Sequence, residues 1–485
     1  MIIVSITGPR MQDAVRQLRS SAQHADLIEF RLDLISRPDI PLLLASTRKP
    51  AVATCRPDWE GGRFSGSERR RLEMLGAAAA SGAAYVDLEL AVAREAIPRF
   101  RGVAGGPEII CSHHLYSPRR FSVQKAYRQL SATGAEVLKL AYMAEDACDI
   151  RTAVEFLSLA RRGRKRAMGL AMGLHGEPSR VLYKKLGGWA TYASAADGEE
   201  SAPGQITAAT MKRLYRADRL TRRARVFGVV GNPLTQSKGI YIHNHVLRNE
   251  DAVYCRFLVE NLGRFMKDVA PLLHGFSVTI PFKETIIRHL AGVDRAARPI
   301  KAVNTAVRRR GGFWGTNSDA PGALDAIEKI HTVRGQTVLV VGAGGTARAI
   351  AYEAKRRGAA VIIANRSPKK GKRLAREFGL EYLPLEEIGS RDFDVLVNAT
   401  PVGMVPQVNH SPVPSALLRD RVVFDAVYNP PVTKLLREAR ASGATVVDGT
   451  EMFLNQAAIQ SHLFTGRPPD LQAMRKVLRS VASQE

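Results

Sequence analysis

Apolar, β-branched runs recur through the first 194 residues, at positions 2–7, 27–34, 51–56, 84–90, 108–114, 137–143, 166–173 and 189–194, with Ala/Arg/Leu-rich stretches of helical length between most of them. Strand alternating with helix eight times predicts a (β/α)8 barrel, whose active site is expected at the C-terminal rim of the strands. On that rim the sequence sets Glu29, Arg31, Arg56, His114, Lys139 and Met172, followed by Arg180 and the loop Ser201-Ala202-Pro203-Gly204-Gln205. An amphipathic stretch at 206–220 reads as a helix and leads into the short cationic linker Thr221-Arg222-Arg223-Ala224-Arg225. A new strand at 226–231 then opens a different pattern.

In this second half, 337–341 reads as a buried parallel strand, and Gly342-Ala343-Gly344-Gly345-Thr346-Ala347 opens a helix at 346–357 that Gly358 can cap. The spacing is the GxGxxA form of the dinucleotide fingerprint, in which glycines permit the tight turn and let a pyrophosphate approach the helix N-terminus. The following strand, 360–364, ends in Asn365-Arg366-Ser367. A carboxylate at that strand end would bind a ribose 2′-hydroxyl, whereas arginine accommodates a 2′-phosphate, so NADP is favoured over NAD. Lys370 adds charge nearby.

Composition narrows the remaining classes. The chain has 485 residues, which implies two or three domains, and 71 Lys+Arg against 46 Asp+Glu, a net charge of +25. The basic clusters are scattered and not interleaved with aromatics, so they read as solvated faces and attraction for small anions; no nucleic-acid role is expected. No apolar run has membrane-spanning length, and the chain enters a strand at its first residues with no leader-like segment. Four cysteines without CxxC spacing argue against a disulfide framework and suggest a reducing cytoplasm.

These pieces carry a resemblance. Glu29-Phe30-Arg31-Leu32-Asp33, Thr54-Cys55-Arg56 with Glu60-Gly61-Gly62, Ser112-His113-His114, Lys139, Ser179-Arg180 and Ser201 to Gln205 resemble the type I 3-dehydroquinate dehydratases over about residues 1–218. Val278-Thr279-Ile280-Pro281-Phe282-Lys283, Ala302 to Thr305, Asn317-Ser318-Asp319, the glycine loop, Asn398 to Met404, Asp425 to Pro430 and 449–456 resemble the shikimate dehydrogenases over about 225–485. The resemblance implies three bodies: a barrel at 1–220, an α/β substrate domain at 225–330 completed by helices at 451–485, and a Rossmann NADP domain at 331–450.

For the first half the resemblance implies Schiff-base chemistry, with Lys139 as the nucleophile and His114 moving the proton and helping water leave. Burial, with Arg31 or Arg56 nearby, is expected to disfavour the lysine ammonium. His113 is expected on the other face of its strand. Glu29 either orients His114 or pairs with Arg31. Arg180 is the expected clamp for the substrate carboxylate, Arg56, Ser201 and Gln205 hold hydroxyls or close the site, and Met172 packs against substrate. Arg31 completes the polar rim.

For the second half the resemblance implies hydride transfer from NADPH to a ketone, with Lys283 donating a proton or hydrogen bond to the developing alkoxide and Asp319 holding Lys283. Thr235, Ser237, Thr279, Asn304, Tyr428 and Gln456 are the expected substrate contacts. Gly342, Gly344, Gly345, Thr346, Asn365, Arg366, Ser367, Lys370, Met404 and Gly449 are the expected cofactor contacts, and no metal is expected. The family's Ser-x-Ser and Ser-Pro pattern reads here Thr235-Gln236-Ser237-Lys238-Gly239-Ile240, Ser277 stands where asparagine is common, Ser318 where threonine is usual, and Phe464 where tryptophan is expected. The implied function is conversion of 3-dehydroquinate to 3-dehydroshikimate and then to shikimate. Two alternatives stay open, a quinate dehydrogenase role for the second half and a metabolite-sensing pseudoenzyme; retention of Lys139, His114, Lys283 and Asp319 speaks against the latter.

Overall fold

The structure is a computed structural model that describes residues 1–102, 105–117, 121–234 and 237–482. By packing, the chain divides into two compact units, Met1–Val226 with Leu247–Leu272, and Phe227–Val246 with Leu273–Glu485.

In the first unit eight parallel strands run β1 (Ile2–Ile6), β2 (Leu27–Arg31), β3 (Ala51–Thr54), β4 (Tyr85–Glu89), β5 (Glu108–Leu115), β6 (Val137–Met143), β7 (Arg166–Met172) and β8 (Thr191–Ser194). Their ladder order is β7-β6-β5-β4-β3-β2-β1-β8. Trp189 N–H, just before β8, donates to Ala167 O in β7 at 2.8 Å and joins the two ends of the ladder. All eight runs read from the sequence are strands, mostly shorter by one to three residues where the chain turns into a loop.

The alternation of side chains along each strand builds the interior. Ile3, Leu27, Val52, Ile110, Val137 and Met168 form an apolar plug toward the strands' N-terminal ends. Two residues further along five of these strands, the same inward face carries Ser5, Glu29, Thr54, Ser112 and Lys139, all buried. The floor is therefore greasy and the rim polar, so the rim is where chemistry can be placed. The stretch expected as a helix at 206–220 is helical only over Ala208–Arg213, because Arg216 turns into the left-handed region at φ 48°.

In the second unit, strand Arg225–Gly231 lies parallel to Gly275–Val278, which pairs antiparallel with Thr305–Arg309 and through it with Gly312–Thr316. A separate parallel sheet has the order Glu381–Pro384, Ala360–Asn365, Thr337–Val341, Val395–Asn398, Val422–Asp425, Thr445–Val447. This is the doubly wound nucleotide-binding order, and its topological switch lies between Thr337–Val341 and Val395–Asn398. Buried Val338, Val340, Ile363, Val397 and Phe424 make its core. The helix Gly449–Thr465 packs on helix Asp319–Glu328, where Asn455 Nδ2 donates to Gly322 O at 3.1 Å and a side chain at Gly322 would crowd the Gln456 backbone.

Candidate active sites

At the C-terminal rim of the barrel, a half-open pocket is lined by Glu29, Arg31, Arg56, His114, Lys139, Met172, Arg180, Ser201 and Gln205, together with Tyr116 and Tyr192. Every barrel residue singled out from the sequence thus lines one pocket. The alternation of β6 sends Lys139 inward, 5% exposed, with Nζ 3.0 Å from Asp87 Oδ2 and 4.1 Å from the centre of the Tyr192 ring.

The electrostatic surroundings of Lys139 differ from the expectation. Arg56 is not set against the lysine alone but is matched by Asp87 at 2.9 Å, Glu89 at 2.6 Å and Glu60 at 3.3 Å, and it donates to Ser112 Oγ at 2.7 Å. Burial opposes the charge on Asp87, yet Arg56 and Lys139 hold its carboxyl well below the usual range. Burial pushes Glu89 up to about 7 even though Arg56 and Arg71 flank it. Lys139 therefore sits beside a carboxylate that stays charged.

Glu29 does not touch His114. Its two oxygens accept hydrogen bonds from Ser5 Oγ at 2.6 Å and Thr54 Oγ1 at 2.8 Å, on the strands to either side. Arg31 pairs with Asp33 instead, at 2.8 and 2.9 Å. The partner of His114 is Glu60, whose Oε2 lies 3.0 Å from Nδ1, while its Oε1 lies 3.5 Å from Nδ1 of His113, so both rings reach the same carboxylate. Glu60 arrives from the loop after β3, which turns at Gly61 with φ +76°; a side chain at Gly62 would strike the Arg56 carbonyl. Burial opposes the Glu60 charge, but hydrogen bonds from His113 and His114 and the field of Arg56 hold it down to about 2. Sequence reading quoted Glu60 only as part of a motif and passed over Asp87 and Glu89. The signal was present: β4 places Tyr85, Asp87 and Glu89 at alternate positions, two carboxylates on the inward face of an otherwise apolar strand.

His114 is driven down to about 3, first by burial and then by Arg56, with Glu60 opposing. The ring is neutral near pH 7 and can accept a proton through Nε2 while Nδ1 donates to Glu60. Its protonation also carries a stability consequence. Between its ordinary value of 6.5 and about 3 the unfolded chain binds a proton that the folded chain excludes, so this contribution is present above 6.5 and is lost as pH falls toward 3. Thermal midpoints measured at about pH 7.5 and about pH 5 are expected to fall less in His114→Gln than in the unaltered chain. Equal falls would overturn this assignment.

Arg180 lies on the one-turn helix Glu177–Val181 and is 1% exposed. Its Nη2 donates to Pro203 O at 3.3 Å, its Nε has no hydrogen-bond partner among the described residues, and burial lowers it to about 10. A buried guanidinium facing a cavity without a carboxylate partner is built for an anion. The 201–205 loop is held beside it: Gly204, at φ +71°, passes so close to Gly173 O that any side chain would collide, Gln205 Nε2 donates to Ser201 Oγ at 2.9 Å, and Ser201 Oγ donates to Ser5 Oγ at 3.0 Å.

In the second unit, Lys283 Nζ lies 2.6 Å from Asp319 Oδ2 and 3.1 Å from Thr346 Oγ1. Asn304 Nδ2 donates to Asp319 Oδ1 at 2.8 Å, so the carboxylate is fixed from both sides. Behind it, Gln460 donates to Asn304 O at 3.2 Å and Thr305 Oγ1 at 3.0 Å and accepts from Ser277 Oγ at 2.8 Å. The hydroxyl that replaces the family's usual amide is thus engaged by Gln460. Tyr428 stacks on Phe453, ring centres 4.4 Å apart, and burial with the Asp319 charge pushes its hydroxyl up to about 12. Thr279 is half-buried beside Gly231, Gln456 donates to Phe453 O at 3.1 Å, and Ser237 is half-buried. Thr235 lies outside the described residues.

The dinucleotide loop fits a cofactor by its own geometry. Gly342 has φ +123° and approaches Ala399 O at the sheet's switch point, and Gly344 caps the helix Gly345–Arg356 with no side-chain hydrogen bond and open space where a Cβ would stand. The first-turn amides of that helix are left for a pyrophosphate. Arg366 is exposed at the end of strand Ala360–Asn365, with Lys370 exposed in the next helix and Asn365 Nδ2 donating to Ser367 O at 2.9 Å. Met404 is half-buried. Gly449 has a packing role: a side chain there would meet the carbonyls of Asp425, Ala426 and Val427 at 2.6–2.8 Å. Among the described residues no three His, Cys, Asp or Glu side chains gather as a metal site, and no helix is long and apolar enough to cross a membrane.

Comparison with known proteins covers both halves. Residues 2–222 match the type I 3-dehydroquinase family, 229–306 the shikimate dehydrogenase substrate binding domain, 325–431 the shikimate/quinate 5-dehydrogenase family and 449–479 the shikimate 5'-dehydrogenase C-terminal domain. A chloroplastic bifunctional 3-dehydroquinate dehydratase/shikimate dehydrogenase of Arabidopsis thaliana is 36% identical over 96% of this chain and 82% of its own length. A shikimate dehydrogenase (NADP(+)) of Pyrococcus abyssi is 40% identical over 52% of this chain and 97% of its own. A shikimate dehydrogenase crystallised with NADP+ superimposes with a TM-score of 0.51 at 33% identity, covering 54% of this chain and 97% of that one.

Proposed function

Because the chain belongs to the bifunctional 3-dehydroquinate dehydratase/shikimate dehydrogenase family, we propose that its two described sites divide the work residue by residue as follows. Arg180 receives the substrate carboxylate, and Arg56, Ser201 and Gln205 hold ring hydroxyls. The Lys139 amine, once deprotonated, adds to the ketone carbon and expels its oxygen as water, leaving a Schiff base that acidifies the adjacent carbon. Neutral His114 takes the proton from that carbon and returns it to the departing hydroxyl, so the ring loses one water. A second water hydrolyses the imine, releasing 3-dehydroshikimate and restoring Lys139. Glu60 steadies the imidazolium while it exists.

In the second site NADPH, when bound, supplies a hydride to the ketone. Lys283 gives the proton that the developing alkoxide needs, and Asp319, held by Asn304, keeps the ammonium aimed and accepts a substrate hydroxyl. Thr279, Ser237, Tyr428 and Gln456 are proposed to surround the polyhydroxylated acid, with Arg366 and Lys370 meeting the 2′-phosphate. A reducing cytoplasm is the proposed location, supported by four buried cysteines with free thiols.

The observation that carries this reading is a buried lysine and a buried arginine, its Nε without a hydrogen-bond partner among the described residues, facing one pocket. NADPH oxidation by the purified chain given only 3-dehydroquinate tests it, since cofactor is consumed only if both halves act in sequence. NADPH loss, with slower NADH loss, is the expected result. Absence of loss, with activity on 3-dehydroshikimate retained, would sink the dehydratase assignment. Comparing kcat/KM on shikimate and quinate decides between those two acids.

A further inference from the structure

Arg180 rides on a helix of a single turn, and a turn that short has no stability of its own in water. Its position must come from tertiary contacts. Inside the barrel, Ser179 Oγ accepts from Ala171 N–H at 3.0 Å and donates to Gly176 O at 2.8 Å. The other support comes from chain that matches the dehydrogenase substrate-binding domain, residues 229–306, of which Leu247–Leu272 packs within the first unit. There, strand Ala252–Leu258 presents Arg256, whose Nη2 and Nε reach the Glu177 carboxylate at 2.7 and 3.2 Å. Glu177 is the first residue of the Arg180 turn, and its side chain is 11% exposed. Tyr215 donates its hydroxyl to the same carboxylate at 2.5 Å. The turn after the Lys139 strand has a similar foothold, where Asn261 N–H donates to Asp146 Oδ2 at 2.9 Å.

We infer that Arg256 is a positioning residue of the dehydratase: through Glu177 it fixes the turn that carries Arg180 and thereby sets the affinity for the substrate carboxylate. The dehydratase site then extends past the 2–222 stretch that matches its own family. The physical reason is that planar, two-pronged recognition of a carboxylate tolerates little angular error, and a nearly buried Glu177 deprived of its guanidinium would shift toward water and take the turn with it.

This inference rests on Arg180 being the carboxylate clamp. In the full-length protein assayed for 3-dehydroquinate dehydration, Arg256→Ala is expected to raise KM by about tenfold with kcat within about twofold, because only uniform binding is lost. Arg256→Lys, which keeps one charged contact, is expected to recover most of it. An unmoved KM, or a fall in kcat alone, overturns the inference. Should Arg256→Ala not fold, Glu177→Gln keeps an acceptor for Tyr215 while removing the charge, and a KM that does not rise there overturns it equally. Arg180→Gln separates the two ideas. If its KM rises while that of Arg256→Ala does not, the inference alone is lost; if its KM does not move, the clamp reading is lost.

Discussion

Lys139→Ala is expected to lower dehydration of 3-dehydroquinate by more than about 10⁴-fold, since removing a covalent nucleophile removes the route and not merely a contact. Arginine in its place is expected to be as inactive, because a guanidinium keeps the charge beside Asp87 but offers no free amine. Borohydride added during turnover is expected to leave a covalent substrate adduct on the unaltered chain, visible as a mass increase, and none on the alanine variant. Loss of the lysine also leaves Asp87 with Arg56 as its remaining ion-pair partner, at a cost of up to about 3–5 kcal/mol from the broken buried pair. Reduction of 3-dehydroshikimate in the same preparation controls for that, because no atom of the second site depends on Lys139. An adduct on Lys139→Ala, or dehydration within tenfold of the parent, would contradict the Schiff-base role.

The second large effect belongs to Lys283. Its ammonium contacts Asp319 and Thr346, and in the proposed reaction it meets the charge that develops on the ketone oxygen. Lys283→Ala is expected to lower kcat for reduction by about 10²–10³, the range of a positioned general acid. KM is expected to move far less, since the remaining contacts to the acid stay in place. With 4-deuterated NADPH the kinetic isotope effect is expected to grow in the variant, as hydride transfer becomes the slow step. Undiminished kcat would remove Lys283 from the proton-donor role, and a KM effect alone would make it a binding residue.

Much of the proposed catalytic apparatus was readable because barrel strands and the dinucleotide loop are local patterns. A lysine inside Val137-Leu138-Lys139-Leu140-Ala141 must face inward if its neighbours face the helices, and its register beside Ser112 follows from the strand order. Gly342, Gly344 and the strand end at Arg366 were legible in the same way as candidates for the proposed nucleotide site. What was not readable is that Glu60, coming in over the rim, meets the rings of both His113 and His114. At Gly449 the structure adds a packing demand that the sequence did not show, since a side chain there would meet three backbone carbonyls.

The sequence by itself determined the eight strands, the Rossmann order's starting motif, both lysines and the family to which they point, because strand periodicity and glycine spacing act over a few residues. Only the tertiary structure decided which carboxylate serves which cation. Asp87, Glu89 and Glu60 converge on Arg56 from β4 and the loop after β3, and Arg256 reaches Glu177 across 79 residues of chain. Such pairings depend on strand register, loop closure and desolvation acting together, and two charges distant in sequence carry no local sign of which partner burial will oblige them to share.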